Sequence, residues 1–184
     1  MVKNKAIILD RDGTLIEDKN YAYQIKDCEL LPGVIEGLKL LSNQFLFFIV
    51  TNQSGIGRGF YTTQDFHKFN NHLLKILKKE KINILETYFC PHLKEHDCEC
   101  RKPKIKFAKE IINEFNVDIT RSWMMGDHPS DIKFGINAGC KTVFLRTGHG
   151  NEHINELESL GIKPTLICDN FLLAAKKILK MQEI

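Results

Sequence analysis

A chain of 184 residues with 26 Lys+Arg against 23 Asp+Glu carries a formal net charge of only +3. Its basic residues are dispersed, as in Lys75, Lys78, Lys79 and Lys81 on a helical pattern, which reads as a solvated face and argues against a nucleic-acid partner. The length suits a single domain over residues 1–184; the longest apolar run, Phe45 to Val50, is far too short for a bilayer, and the amino terminus lacks the pattern of an export signal, so a cytoplasmic monomer without a membrane partner is expected.

In chain order, Ala6-Ile7-Ile8-Leu9 predicts a buried strand closed by Asp10-Arg11-Asp12-Gly13-Thr14. Gly33 to Ser42 has helical spacing in Val34, Ile35, Leu38 and Leu41, with Pro32 near its start. Phe45 to Val50 reads as the second strand. A Gly-rich loop follows, then a long helix from about Thr63 to Glu80 with Phe66, Phe69, Leu73, Leu74 and Leu77 on one face. Leu85 to Cys90 is the third strand, Ile105 to Phe115 a helix, and Ser122 to Met125 a strand ending at Gly126-Asp127. A short helix over Ser130 to Ala138 stops at Gly139, a good C-terminal cap. Thr142 to Leu145 and Thr165 to Cys168 are short strands, and Phe171 to Met181 closes the chain as a helix capped by Asp169 or Asn170. Such alternation argues for an α/β fold, a Rossmann-like parallel sheet with helices on both faces.

This order puts Asp10, Thr51, the Cys90 loop and Asp127 each at the carboxyl end of a strand, where open α/β sheets bind ligands. Asp10 and Asp12 can divide nucleophilic and proton-transfer work, and acidic residues at the ends of two neighbouring strands, Asp10 and Asp127, can hold Mg²⁺. Thr51 offers a hydroxyl for a phosphate and Lys102 a positive charge, so the set fits phosphoryl transfer. Each residue alone has a plainer reading: a strand-to-turn junction at Asp10, a strand-end hydroxyl at Thr51, a helix cap at Asp127.

Cys90-Pro91-His92 and Cys98-Glu99-Cys100 bring four soft or borderline ligands into eleven residues, which suits a closed, structural, tetrahedral Zn²⁺ site. Its work would be to fix the loop that delivers Arg101-Lys102; the alternative is a chance cluster of reduced cysteines. Cys28, Cys140 and Cys168 read as core or half-buried thiols, and Trp123 as core. Gly55, Gly57 and Gly59 lack the strand-Gly-helix junction of a dinucleotide site, because Phe60-Tyr61-Thr62 separates them from the next helix; a flexible substrate loop is expected. His67, His72, His96, His149 and His153 read as surface residues without partners.

Asp10-Arg11-Asp12-Gly13-Thr14, then Thr51, Lys102, and Gly126-Asp127 with Asp131, resemble the four ordered motifs of the haloacid dehalogenase superfamily of phosphohydrolases, and the likeness spans nearly the whole chain. The resemblance implies that Asp10 forms an aspartyl-phosphate, that Asp12 is the general acid/base, and that Thr51 and Lys102 steady the phosphoryl group. It implies Mg²⁺ held by Asp10, the backbone carbonyl of Asp12, and Asp127, with Asp131 behind them. No large cap domain is inserted after the first or second motif.

With its zinc loop running into Arg101-Lys102-Pro103, the chain resembles a subgroup holding both heptose bisphosphate phosphatases and histidinol-phosphatases. Asp18-Lys19-Asn20-Tyr21, the stretch Thr51 to Gly59, and Arg146-Thr147-Gly148 lean to the heptose enzymes; the short spacer from His92 to Cys98 and Arg101 to Lys104 occur in both. The likeness implies hydrolysis of a small sugar bisphosphate contacted by Asp18, Lys19, Asn20, Tyr21, Asn52, Gln53, Ser54, Arg58, Arg101 and His128. His128 departs from the lysine often found there. Two readings from other classes are a zinc-stapled binding module, disfavoured by the complete catalytic set, and a phosphotransferase or mutase, disfavoured by the missing water-excluding cap.

Overall fold

The computed structural model describes residues 3–182. Six strands form one parallel sheet: β1 (Ala6–Leu9), β2 (Leu46–Asn52), β3 (Ile84–Cys90), β4 (Trp123–Gly126), β5 (Lys141–Leu145) and β6 (Leu166–Cys168), in the order β3-β2-β1-β4-β5-β6. Seven helices connect them: α1 (Val34–Leu41), α2 (Ser54–Gly57), α3 (Thr63–Lys79), α4 (Lys106–Phe115), α5 (Pro129–Ala138), α6 (Gly150–Ser159) and α7 (Phe171–Lys180).

Side chains alternate across each strand, so the buried runs divide between two faces. Ile7, Leu9, Phe47, Ile49, Trp123 and Met125 point to one side, where Val34 and Leu38 of α1, Phe69 and Leu73 of α3, and Ala174 and Ile178 of α7 cover them. Ala6, Ile8, Phe48, Val50 and Met124 point to the other, against Phe107 and Ile111 of α4 and Phe134 of α5. Phe144 and Ile132 form a smaller cluster with Leu157 of α6. The layered α/β architecture expected from the alternation is present, with Trp123 fully buried.

The helix ends follow their cap chemistry. Thr62 and Asp65 form a reciprocal capping box at α3, Asn170 rather than Asp169 caps α7, and Gly139 ends α5 with φ 85°. Strand order reverses between β1 and β4, each starting a connection that leaves in the opposite direction. Their carboxyl ends open the crevice where such sheets bind ligands.

Two expectations need correction. The Gly-rich segment is not a plain loop: Ser54–Gly57 makes a helical turn, and a Cβ on Gly55 would run into the Tyr61 ring. Gly55 and Gly57 permit close packing, which composition alone cannot separate from looseness, while Gly59 serves a turn at φ 74°. Helix α6 lies where the sequence carries little helical apolar periodicity: its run Asn-Glu-His-Ile-Asn-Glu-Leu offers few apolar positions, and its side-chain burial rests on Leu157.

Candidate active site

The crevice is a cleft of about 310 Å³. At its floor Asp10 follows β1 and Asp127 follows β4, while Asp131 comes up from the first turn of α5. All three carboxylates are buried and lie close enough together to share one cation. Lys102 is buried among them, its Nζ 2.8 Å from Asp10 Oδ1 and 2.7 Å from Asp131 Oδ1. Burial raises the Asp10 carboxyl above its ordinary range against the pull of Lys102, and raises Asp127 well above it. Burial alone would depress the Lys102 ammonium, but Asp10 and Asp131 together hold it above the usual lysine value. Three carboxylates against one ammonium leave an acidic centre, and oxygen donors in that number suit Mg²⁺.

Glycine makes this packing possible. Gly13 turns the chain at φ 74°, and a Cβ there, or on Gly148, would collide with the Asp127 carboxylate. Asp127 Oδ2 accepts the His149 backbone N–H at 3.0 Å, and Thr147 Oγ1 donates to the Gly13 carbonyl at 2.7 Å, so the turn after β5 closes on the first motif. Asp131 caps its own helix by accepting the His128 N–H at 3.0 Å. The cap residue is His128, not Asp127, which stays free to face the cleft.

Asp12 sits beside the floor in a different setting. Arg11 grips its carboxylate with Nε at 3.1 Å and Nη2 at 2.9 Å, and Gln53 Nε2 donates to it at 2.8 Å. Thr51 Oγ1 accepts from the same Gln53 amide at 2.8 Å.

Lys102 is delivered by the cysteine loop. Cys90, His92, Cys98 and Cys100 offer ligand atoms that all lie within 4.8 Å of one another, with neighbouring pairs separated by 3.1 to 3.7 Å. A tetrahedral Zn²⁺ with bonds of about 2.3 Å to sulfur needs ligand atoms about 3.8 Å apart, so the cluster fits that ion. No disulfide competes, since all six cysteines are free. Arg101 Nη1 donates to the His92 carbonyl at 3.2 Å, and Asn52 clamps the Lys102 backbone with bonds of 3.0 and 3.3 Å. The cluster and β2 therefore hold the lysine from both sides.

The cleft wall also includes Asp18, Asn20, Tyr21, Asn52, Ser54, Arg101 and His128, residues the sequence marked as candidate substrate contacts. Asn20 and Tyr21 adopt positive φ of 52° and 64°, which sets them on a tight turn stabilised by Asp18 Oδ1 accepting the Asn20 N–H. Two residues expected in that wall are not in the cleft lining. Lys19 is turned outward onto Glu29 at 2.9 Å, and Arg58 lies exposed at the end of α2. Gln53 lines the cleft, yet its buried amide is consumed by protein partners.

The structure also adds residues that the sequence reading passed over. Arg11 and Tyr61 line the cleft, and so does His149, whose Nε2 is 3.5 Å from Asp18 Oδ2. His153 is not partnerless either: its Nδ1 lies 2.8 Å from Glu156, and its ring meets His128 edge-on. His149 follows the carboxyl end of β5, so the rule that located Asp10 and Asp127 would have found it; no spacing signal marked Arg11 or Tyr61.

A buried carboxylate at a sheet switch point, a lysine shared between two carboxylates and an acidic cluster that could hold a divalent cation are the features of a haloacid dehalogenase-like phosphatase. The family described as polynucleotide kinase 3 phosphatase matches residues 5–133, and the HAD-hydrolase-like family matches 99–174. The chain is 43% identical over 145 residues to the D-glycero-alpha-D-manno-heptose-1,7-bisphosphate 7-phosphatase of Campylobacter jejuni, covering 78% of this chain and 83% of that one. It is 39% identical to the D-glycero-beta-D-manno-heptose-1,7-bisphosphate 7-phosphatase of Haemophilus influenzae, covering 79% and 83%. The crystal structure of D,D-heptose 1,7-bisphosphate phosphatase from B. bronchiseptica, complexed with magnesium and phosphate, superposes with a TM-score of 0.88 at 26% identity, covering 96% of this chain and 99% of that one. The chain belongs to the family of haloacid dehalogenase-like phosphatases that includes these enzymes.

Proposed function

We propose that this protein is a Mg²⁺-dependent phosphatase that removes the 7-phosphate of D-glycero-D-manno-heptose 1,7-bisphosphate, in the making of nucleotide-activated heptose for lipopolysaccharide and related glycans. The observation that carries the chemistry is the buried Lys102 ammonium shared between Asp10 and Asp131 beside Asp127. The substrate assignment is supported by the two relatives at 43% and 39% identity.

Asp10 attacks phosphorus, and the departing sugar oxygen takes a proton from the Asp12 carboxyl. Water then attacks the aspartyl-phosphate, and Asp12 takes its proton, restoring both carboxyl groups. Lys102 and the Thr51 hydroxyl bind the equatorial phosphoryl oxygens, with Lys102 held against thermal displacement by its two carboxylates. Asp10, the Asp12 carbonyl and Asp127 would hold Mg²⁺, which supplies charge neutralisation between carboxylates and phosphate. Cys90, His92, Cys98 and Cys100 would hold Zn²⁺ and keep Arg101-Lys102 in place. At the mouth, Asp18, Asn20 and Asn52 meet sugar hydroxyls, while Arg101 pairs with the second phosphate. Histidinol phosphate, with an ammonium and an imidazole, finds Arg101 a poor neighbour.

Phosphate release from heptose 1,7-bisphosphate and from histidinol phosphate tests the reading. A clear preference by kcat/KM for the bisphosphate is expected, with Asp10→Asn reduced to background while remaining folded. Equal or better turnover of histidinol phosphate would overturn the substrate; substantial activity in Asp10→Asn would overturn the covalent route.

A further inference from the structure

Arg11 lines the cleft yet is almost completely buried, and its ion-pair partner is Asp12 rather than a carboxylate of the floor. Its guanidinium lies 4.8 Å over the Phe69 ring and 5.4 Å from that of Phe66, and Nη1 has no hydrogen-bond partner. Burying a cation with an unpaired donor is costly. The return is directional. Nε and Nη2 both reach Asp12, and Nη2 also reaches Gln53 Oε1 at 3.1 Å.

Gln53 completes the arrangement. An amide can present oxygen or nitrogen to a neighbour, and only the nitrogen suits a carboxylate. Its Oε1 accepts from Arg11 and from the Tyr61 hydroxyl at 2.6 Å, which fixes the oxygen on the far side. Nε2 is thereby aimed at Asp12 Oδ2 and Thr51 Oγ1. Tyr61 is itself immobilised: buried, stacked on Tyr23 at 5.3 Å, and packed against Gly55, where no Cβ would fit. Burial lifts its hydroxyl to about 12, so it stays a donor across the neutral range. The donors reach Asp12 from the protein side, and its remaining edge, with the side chain 19% exposed, opens to the cleft.

We propose that Arg11, Gln53 and Tyr61 form a positioning unit that fixes the rotation of the Asp12 carboxyl for proton delivery to the departing oxygen. Gln53 thus acts on the catalytic groups rather than on the sugar. The proposal rests on the assignment of Asp10 and Asp12 above. In the step concerned, the Asp10 oxygen–phosphorus bond forms, the phosphorus–ester oxygen bond breaks, and the Asp12 proton ends on that oxygen as an alcohol.

The test uses leaving-group dependence, because an alkoxide needs the proton and a nitrophenolate scarcely does. The parent, Tyr61→Phe, Gln53→Met, Arg11→Lys and Asp12→Asn are compared in kcat/KM on heptose 1,7-bisphosphate and on p-nitrophenyl phosphate, at saturating Mg²⁺. Positioning predicts a loss on the order of 10²-fold for the sugar ester in Gln53→Met. A loss of less than about tenfold is expected for the aryl ester, the difference being set by the general-acid contribution. Tyr61→Phe, which keeps the ring and its packing, should show the same bias to a smaller degree, and Arg11→Lys, whose ammonium cannot reproduce the fork to Asp12 and Gln53, should show it too. If Asp12→Asn shows the bias but Gln53→Met and Tyr61→Phe lower both esters equally, or neither, the positioning unit is wrong. If Asp12→Asn itself shows no bias, the acid role of Asp12 falls and takes the proposal with it.

Discussion

Replacing Lys102 by Met removes the only ammonium from a floor of three buried carboxylates while keeping most of the side-chain volume. Each of its contacts, 2.8 Å to Asp10 and 2.7 Å to Asp131, carries about 6 kcal/mol of attraction at an effective dielectric near 20. Desolvation of the three groups cancels much of that, and removing one partner of a buried pair costs about 3–5 kcal/mol net. For a chain of this size a kcal/mol moves the melting temperature by about 2–4 °C, so Lys102→Met should melt about 6–20 °C below the parent without divalent cations.

The pH dependence gives the sharper check. Burial already raises the Asp10 carboxyl, and losing Lys102 raises it further. A carboxyl whose folded pKa exceeds its unfolded value stabilises the fold only while it is protonated, so that stability is lost as pH rises through the folded pKa. The melting deficit of Lys102→Met should therefore be largest near about pH 8 and shrink towards about pH 5, as a proton replaces the missing ammonium. Thermal melts in chelator at both pH values read this directly. A variant melting within about 2 °C of the parent at the higher pH, or a deficit that grows on acidification, would refute the electrostatic account.

Three further outcomes follow from the same geometry. Gly13→Ala forces a side chain into left-handed backbone, costing about 1–2 kcal/mol, and pushes the Asp127 carboxylate aside; it should raise the Mg²⁺ concentration needed for half-maximal activity, and an unchanged Mg²⁺ requirement would speak against Asp127 as a ligand. Mg²⁺ must displace protons from Asp10 and Asp127, both raised by burial, so its affinity by calorimetry should increase with pH and its binding should release protons; a pH-independent affinity would exclude these ligands. Elemental analysis should find about one zinc per chain, lost in Cys100→Ser together with most turnover, because the cluster holds the segment carrying Arg101 and Lys102; absence of zinc with freely titrating native cysteines would remove the assignment.

Residues whose chemistry follows from type and position along the chain were readable without coordinates. Asp10 and Asp127 sit at ends of apolar runs, and Cys90, His92, Cys98 and Cys100 lie within eleven residues. What escaped depends on direction rather than type. Lys19 and Arg58 have the charge to meet a phosphate, but Glu29 holds one outward and the end of α2 exposes the other. Sequence spacing fixes where a side chain starts and leaves open which neighbour wins it.

Arg11 shows the same limit from the opposite side. An arginine between two catalytic-type aspartates suggests a phosphate ligand, because charge and cleft position both favour it. The competition is decided by Phe66 and Phe69, more than fifty residues away in the chain, whose rings lie against the guanidinium and leave Asp12, Gln53 and the Ala22 carbonyl as its directional partners. Those rings lie on the apolar face of α3, where helical periodicity accounts for them as core. A residue can thus satisfy the core pattern and still hold the arginine that grips Asp12. The acidic floor followed from a one-dimensional rule about strand ends, whereas the setting of Asp12 depends on two rings of α3 that meet the Arg11 guanidinium.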